Sequence, residues 1–308
     1  MEAHEKNLRP SNVTIRDLVS LDDFHQVEAL EREIWSLADV DVMPTTAAIA
    51  LHESGNHWIG AFDRQKLVGF ACAFFGVENQ RLNMHSHMLG VLPKYQNGEL
   101  GYRLKLAQRE RALTVRVNVG SDPKHGSVGI REITWTFDPL QSRNAHLNFT
   151  KLGALSQRYN ADFYGPHTSS LLHQNGTDRL WMTWPIASRR VQKRIAGEES
   201  RPATLDALST LAPLIRFDAN GAPVRADLAA SLARQRIAIE IPSDILAIEK
   251  ENPALARAWR AATRGAFTQA LDAGFVVSDF CRHLRGQQGP GVYLLEKLSP
   301  ADNLDFPL

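Results

Sequence analysis

A mixed α/β fold is predicted by three observations on this 308-residue chain. Short apolar runs alternate with period two, as in Arg131–Asp138, where Ile133, Trp135 and Phe137 share one face of a strand. Between them lie runs of helical spacing, such as Phe24, Val27, Leu30 and Ile34. Polar turns rich in Gly, Pro and Asn separate the two kinds of run. The resulting order is β-α-α-β-β-β-α-β-α-β-β over residues 1–186, a charged connection at 187–204, and a smaller βαββ lobe at 205–308.

Val13–Leu18 reads as the first strand, and Ser20 or Asp22 caps the helix that follows. Pro44–Ser54 is a second helix closed by Gly55. Trp58–Phe62 and Leu67–Phe75, joined by Asp63–Lys66, form a β-hairpin. Beyond Asp138, Ser142 or Asn144 caps a short helix that reaches Leu152, with Gly153 as its C-terminal stop. Strand-like runs follow at A-D-F-Y-G and at D-R-L-W-M-T-W-P-I. In the last hundred residues, Ile237, Ile239 and Ile241 alternate in a strand, and Asn252-Pro253 opens a helix carrying Leu255, Trp259, Ala262 and Ala266. Phe275–Phe280 and Val292–Leu298 complete the lobe.

Composition narrows the function. Hydrophobic residues make up 44% and charged residues 22%, the balance of an ordinary globular protein. A net charge of +1 gives no field to draw nucleic acid or an anionic membrane, so neither is expected as a partner. Arg189, Arg190, Lys193, Arg194 and Arg201 lack interleaved aromatics and read as an exposed helix end. The apolar run Leu67–Val77 is too short to cross a bilayer. The opening M-E-A-H-E-K-N-L-R-P lacks the apolar core of a secretion signal, and Cys72 and Cys281 belong to no C-x-x-C pair. A reducing, cytoplasmic setting is expected.

The most informative stretch is Asn83–Leu113. It starts as an alternating strand, with His85, His87 and Leu89 on one face, and turns at Pro93–Gly98. It continues as a helix with Leu100, Leu104 and Ala107 on one side. The first turn of such a helix offers unpaired N–H groups and a positive dipole end, which suits a phosphate.

Within it, L-G-V-L-P-K-Y-Q-N-G-E-L-G resembles the acyl-CoA motif of the GNAT superfamily of N-acyltransferases. That motif is an apolar strand, V-x-P-x-[YF], then [QR]-x-x-G-x-[GA] opening a helix. Further on, S-R-N-A-H-L-N-F-T-K-L-G resembles the family's N-x-x-A-x-x-x-Y-x-K-L-G helix. The resemblance covers Val13–Ile186. The run W-T-F-D-P-L-x-S-R-N-A, followed by Y-G and D-R-L-W, is similar to a bacterial branch with an added C-terminal lobe.

The resemblance implies a mostly antiparallel central sheet flanked by helices. It also implies direct transfer of a short acyl group, in a ternary complex, from acetyl-CoA or another acyl-CoA to a small amine or amino acid, without a metal. A homodimer is compatible with it. By carry-over, Leu89, Gly90 and Val91 meet the pantetheine, in the manner of an added strand. Gln96, Asn97, Gly98, Leu100, Gly101 and Tyr102 surround the pyrophosphate, with Lys94 adding charge and Asn144 supporting the donor from the second motif. Three positions depart from the family pattern: Glu99 replaces a glycine, Ser142 replaces the opening asparagine, and Phe149 replaces the tyrosine that protonates the leaving thiolate. Tyr159 and Tyr164 are the substitute acids nearest in sequence.

N-acylation requires a neutral amine, so a base with a pKa near neutrality is sought. His85 and His87 fit that requirement, with Glu78 and Asp138 behind them. Their i, i+2 spacing also suits two metal ligands, but a third is not indicated. His167 and His173 are candidates for lining the acceptor pocket. Two alternatives to a small-molecule enzyme are a non-catalytic acyl-CoA-binding protein and a protein N-acyltransferase.

Overall fold

Ser20 caps the first helix, three residues after the first strand ends at Asp17. Its hydroxyl accepts from the Asp23 N–H, and Asp23 accepts from the Ser20 N–H, a reciprocal capping box. The computed structural model describes residues 13–78, 81–118, 126–165, 168–170, 173–198, 211, 213–282 and 290–297. By their contacts these fall into two units, Met1–Ile133 with Ser169–Leu171, and Thr134–Thr168 with Leu172–Leu308. The division therefore falls well before the charged connection at 187–204.

The first unit contains β1 (Val13–Asp17), α1 (Leu21–Trp35), α2 (Thr45–Glu53), β2 (His57–Asp63), β3 (Lys66–Glu78) and β4 (Arg81–Val91). A 3₁₀ turn at Pro93–Gly98 and α3 (Leu100–Thr114) follow. A small hairpin of β5 (Arg116–Asn118) and β6 (Ser127–Gly129), absent from the sequence reading, closes the unit. Strands β1 to β4 form an antiparallel meander. Phe24, Val27 and Leu30 of α1 and Leu100 and Leu104 of α3 are buried with Trp58, Phe62, Phe70 and Ala71 in one core. Burial of each large apolar side chain of this kind contributes about 1.5–3 kcal/mol before the entropy of ordering it.

The second unit begins at Thr134 within β7 (Ile133–Phe137), followed by α4 (Ser142–Ala145), which runs into a π-type turn at His146–Lys151. Next come β8 (Leu155–Asn160), β9 (Arg179–Trp184), α5 (Arg189–Ala196), β10 (Pro213–Phe217), β11 (Pro223–Arg225) and α6 (Leu228–Leu232). The remaining elements are β12 (Arg236–Ile241), α7 (Ile245–Glu251), α8 (Pro253–Asp272), β13 (Val276–Cys281) and β14 (Gly291–Glu296). Its strands lie in the order β7-β9-β8-β13-β14-β12-β10-β11. The β10–β12 pair is parallel, while β8–β9, β8–β13, β13–β14, β12–β14 and β10–β11 are antiparallel. The mixed, mostly antiparallel architecture is therefore found, and the β12-α8-β13-β14 core of the predicted lobe with it.

Two expectations need correction. The run A-D-F-Y-G is a turn and not a strand, because Asp162 (φ 46°) and Gly165 (φ 85°) take left-handed conformations. Only a single bridge joins Phe163 to Gly165. The basic residues of α5 are not simply solvated. Arg194 is buried and pairs with Asp279 at 2.6 Å, while Arg190 donates to the Gly153 and Ser278 carbonyls. Arg201 lies outside the described residues.

Candidate functional site

The strand–turn–helix at Asn83–Leu113 is present, and β4 carries a bulge. Met88 faces Cys72 on β3 and Ser86 faces Ala73, so His87 has no opposite number. The bulge resets the alternation. Ser86 and Leu89 both point toward α3, the first to Lys105 and Gln108 and the second to Gly101. His85, His87 and Leu89 therefore do not share a face, as an unbroken strand would have required. The His85 and His87 rings lie 6.5 Å apart, and His87 rests against Phe74 at 5.2 Å. Packing of the His87 ring lowers its pKa from the ordinary value by desolvation, although the residue as a whole keeps an exposed edge.

At the end of β4, the Leu92 N–H donates to Val68 O on β3 at 3.0 Å. Antiparallel alternation then directs the backbone groups of Leu89 and Val91 away from β3. The Val91 carbonyl accepts from Gln96 Nε2 at 3.0 Å, which ties the turn back onto the strand. Tyr95 ties the same turn to the β2–β3 hairpin, donating to Asp63 Oδ2 at 2.5 Å. Lys94 is exposed, and Asn97 lies within the turn.

Glu99, not Gly98, takes the left-handed conformation, with φ 60° and ψ 12°. This is a backbone conformation that glycine adopts without a steric penalty. A non-glycine residue there costs roughly 1–2 kcal/mol. Glu99 is exposed, and its charge adds to burial in raising the pKa of Tyr102. The first i→i−4 bond of α3 runs from the Arg103 N–H to Glu99 O at 3.0 Å, so Leu100 and Gly101 precede the helical ladder. Leu100 is fully buried and anchors that end.

Two glycines here differ in what they do. A Cβ on Gly90 would lie 2.8 Å from Ile34 Cδ1 and 3.1 Å from Trp35 Cη2, so α1 packs directly on the strand backbone. A Cβ on Gly101 would meet only Leu89 Cδ2, at 3.5 Å, an ordinary contact. Packing within the protein demands the first glycine and not the second.

Several candidates fall in the second unit, in other surroundings. Asn144 is exposed on α4, while Ser142 is buried with no partner for its hydroxyl. Phe149 is fully buried, edge-on to Phe137 and to Tyr293 with ring centroids 6.1 and 5.7 Å away. Asp138, a runner-up base, is a structural acid. It accepts from both terminal nitrogens of Arg260 at 2.7 Å and from the Leu140 N–H. Tyr159 donates to Asp178 Oδ2 at 2.5 Å, and burial together with that carboxylate pushes its phenol well above the ordinary range. Tyr159 is therefore not an available proton donor. Tyr164 remains 42% exposed, its hydroxyl 3.4 Å from Thr136 Oγ1. His173 stacks on the Tyr164 ring. Arg179 donates to His173 Nε2 at 2.6 Å, so the imidazole carries its proton on Nδ1, which donates to Thr168 Oγ1 at 2.6 Å. Glu78 accepts from Asn83 Nδ2 at the exposed end of β3. His167 lies outside the described residues.

Two buried ionisable residues, one on α1 and one on α3, are not among the candidates that periodicity and motifs picked out. Glu31 of α1 is fully buried: Oε2 accepts from the Met43 N–H at 3.0 Å, and Oε1 has no hydrogen-bond partner. Desolvation raises its pKa to about 7. The signal was available, since Glu31 occupies a core-facing place in the stripe Phe24, Val27, Leu30 and Ile34. Lys105 of α3 is 4% exposed, and Nζ donates to Ser86 Oγ at 2.7 Å, which donates in turn to Gln108 Oε1 at 2.9 Å. Its pKa falls to about 7, again through desolvation.

No protein-family model matches this chain, and neither does any curated protein. Among solved structures, the chain is similar to the ribosomal-protein-S18-alanine N-acetyltransferase from Escherichia coli, with 15% identity, 57% of this chain and 95% of that one covered, and a TM-score of 0.41. It is also similar to Arabidopsis thaliana NAA60 in complex with a bisubstrate analogue (13%, 56% and 97%, 0.42). A GNAT-family acetyltransferase from Streptococcus pneumoniae matches to the same degree (15%, 56% and 97%, 0.41). Each of these likenesses spans little more than half of this chain.

Proposed function

We propose that this protein is an acyl-CoA-dependent N-acyltransferase that moves acetyl or another short acyl group to a small amine or amino acid. The observation that carries the reading is Gly101. It sits in the first turn of α3, where packing leaves room for a side chain. A glycine inside a helix costs about 0.5–1 kcal/mol relative to alanine, and close approach of a ligand to the backbone is the usual reason to keep one. The donor's pyrophosphate would meet the amides of Leu100 and Gly101, where the positive end of the helix favours negative charge. Lys94 would add charge, and the backbone of Leu89 and Val91 would take the pantetheine once Gln96 releases the Val91 carbonyl. Positioning of amine against thioester supplies much of the rate in such a complex. His85 and His87 on β4 are kept as alternative proton acceptors.

Calorimetric titration of acetyl-CoA and succinyl-CoA into the wild type and Gly101→Trp tests the donor site. Binding by the wild type that is lost in Gly101→Trp is expected, and absence of binding by the wild type refutes the reading. A second reading, a binding protein without turnover, is favoured by Phe149, which offers no proton where the family pattern has a tyrosine. Release of free thiol in the presence of amines separates the two.

A further inference from the structure

Glu31 is a carboxylic acid in an apolar helix stripe, fully buried, with one oxygen bonded and one not. An ionisable group so placed is costly to keep. Its position relative to the donor strand gives it a use. Ile34 and Trp35, on the same side of α1 one turn later, touch the strand backbone at Gly90. One turn earlier along the helix, Glu31 approaches Cys72, whose thiol is pushed up to about 12 by burial and by the Glu31 charge. Cys72 is the partner of Met88, the residue that follows the bulge at His87. Glu31 thus lies over β3 near the bulge of β4, on the face of the sheet that α1 covers.

The donor reading fixes what lies there. With pyrophosphate at the start of α3 and pantetheine along Val91 and Leu89, the thioester end is carried back along β4 toward Met88. Resting on that reading, we propose that Glu31 is the base that receives the proton of the acceptor amine. The amine nitrogen forms its bond to the thioester carbon while the carbon–sulfur bond breaks. The proton leaving nitrogen goes to the unpaired Glu31 oxygen and is passed to the departing thiolate. The products are amide and free thiol, and the carboxylate is regenerated. A carboxyl poised near neutrality both accepts and returns a proton without a large penalty in either direction.

The connection between α1 and α2 covers this carboxyl, and the acceptor enters by displacing it. The connection is held by the Met43 N–H on Glu31, by the Ala38 N–H on Ser169 Oγ and by the Ser169 N–H on Asp41 Oδ2, each at 3.0 Å. Bonds of this kind contribute about 0.5–1.5 kcal/mol apiece, which is within reach of acceptor binding. The charged groups around Glu31 are Glu28 and Arg32 on its own helix and the Cys72 thiol on β3; the first raises and the second lowers its pKa.

The experiment compares wild type, Glu31→Gln and Glu31→Asp with acetyl-CoA and a panel of small amines and dipeptides, following free thiol across pH. Glutamine keeps the shape and can still accept from Met43, so folding is preserved and acetyl-CoA binding stays within about twofold of wild type. Turnover by Glu31→Gln is expected to fall by about 10²–10⁴-fold, with Glu31→Asp intermediate. The acidic limb of the wild-type kcat/KM profile should be missing from the residual glutamine activity. Turnover by Glu31→Gln within threefold of wild type, with the acidic limb retained, overturns the proposal and leaves the acyltransferase reading standing. A wild type that neither binds acetyl-CoA nor releases thiol with any amine overturns both.

Discussion

The two helices that cover the β1–β4 sheet each press one ionisable side chain against β4 or its neighbour, and the fold treats the two differently. From α3, Lys105 reaches Ser86, and Ser86 reaches Gln108, in a buried chain of hydrogen bonds. From α1, Glu31 keeps one oxygen with no partner. Desolvation moves both pKa values toward about 7, from opposite directions. A perturbed pKa therefore does not mark a reactive group by itself. The bonded group is part of the packing, whereas the group with an unused oxygen has capacity left for a ligand.

The sharpest way to break this comparison is stability against pH. Glu31 keeps its proton in the fold where the unfolded chain has lost it, so its contribution is present below about pH 4.5 and is lost as pH rises through about 7. Lys105 is neutral in the fold where the unfolded chain is still protonated, so its contribution is present above about pH 10.5 and is lost as pH falls through about 7. Denaturant melts should show Glu31→Gln gaining on wild type as pH rises from 4.5 to 8, and Lys105→Met gaining as pH falls from 10 to 6. Each span is on the order of 3–4 kcal/mol. Slopes of the same sign would defeat the comparison. Lys105→Met should also leave turnover within about threefold of wild type.

The glycines give the next largest effect. Gly90→Ala drives a methyl into Ile34 and Trp35 and should destabilise by about 1–3 kcal/mol, read as a lower midpoint of urea unfolding. Gly101→Ala, on the α3 side, should stabilise the fold by about 0.5–1 kcal/mol while weakening acetyl-CoA binding in calorimetry. A variant that is both more stable and a poorer binder is the signature of a glycine kept for a ligand. The smallest effect expected is that of Glu99→Gly, which relieves a left-handed residue and removes a negative charge beside the helix end. Stability should rise by roughly 0.5–1 kcal/mol and donor affinity should increase, most clearly at low salt.

Much of the fold was legible because strands and helices here carry their own periodicity and punctuation. Ser20, Asn252-Pro253 and Gly153 all lie at the helix ends where their chemistry suggested. The β10–β11 hairpin and helices α6 and α7 were missed because they are short and weakly patterned. The bulge at His87 was invisible for a different reason: it is a property of pairing between β3 and β4, and no period-two reading of one strand contains it. The same holds for Asp138 and Tyr159, whose partners Arg260 and Asp178 lie 122 and 19 residues away. Glu99 stood out in the sequence, but only the backbone shows that it takes a left-handed conformation.

The interlock around Phe149 bears on how the chain can be shortened. Tyr293 packs on Phe149, Phe267 and Phe280 and donates to the Pro139 carbonyl, and Ser156 of β8 pairs with Val277 of β13. A chain cut in the 187–204 connection would leave the second motif helix without its aromatic lid and β8 with a bare edge, the usual starting point for aggregation. The C-terminal hundred residues are thus a folding requirement of the segment that precedes them. An insertion or fusion is better borne between the exposed Ala219 and Asn220 than at the basic connection that composition alone would have chosen.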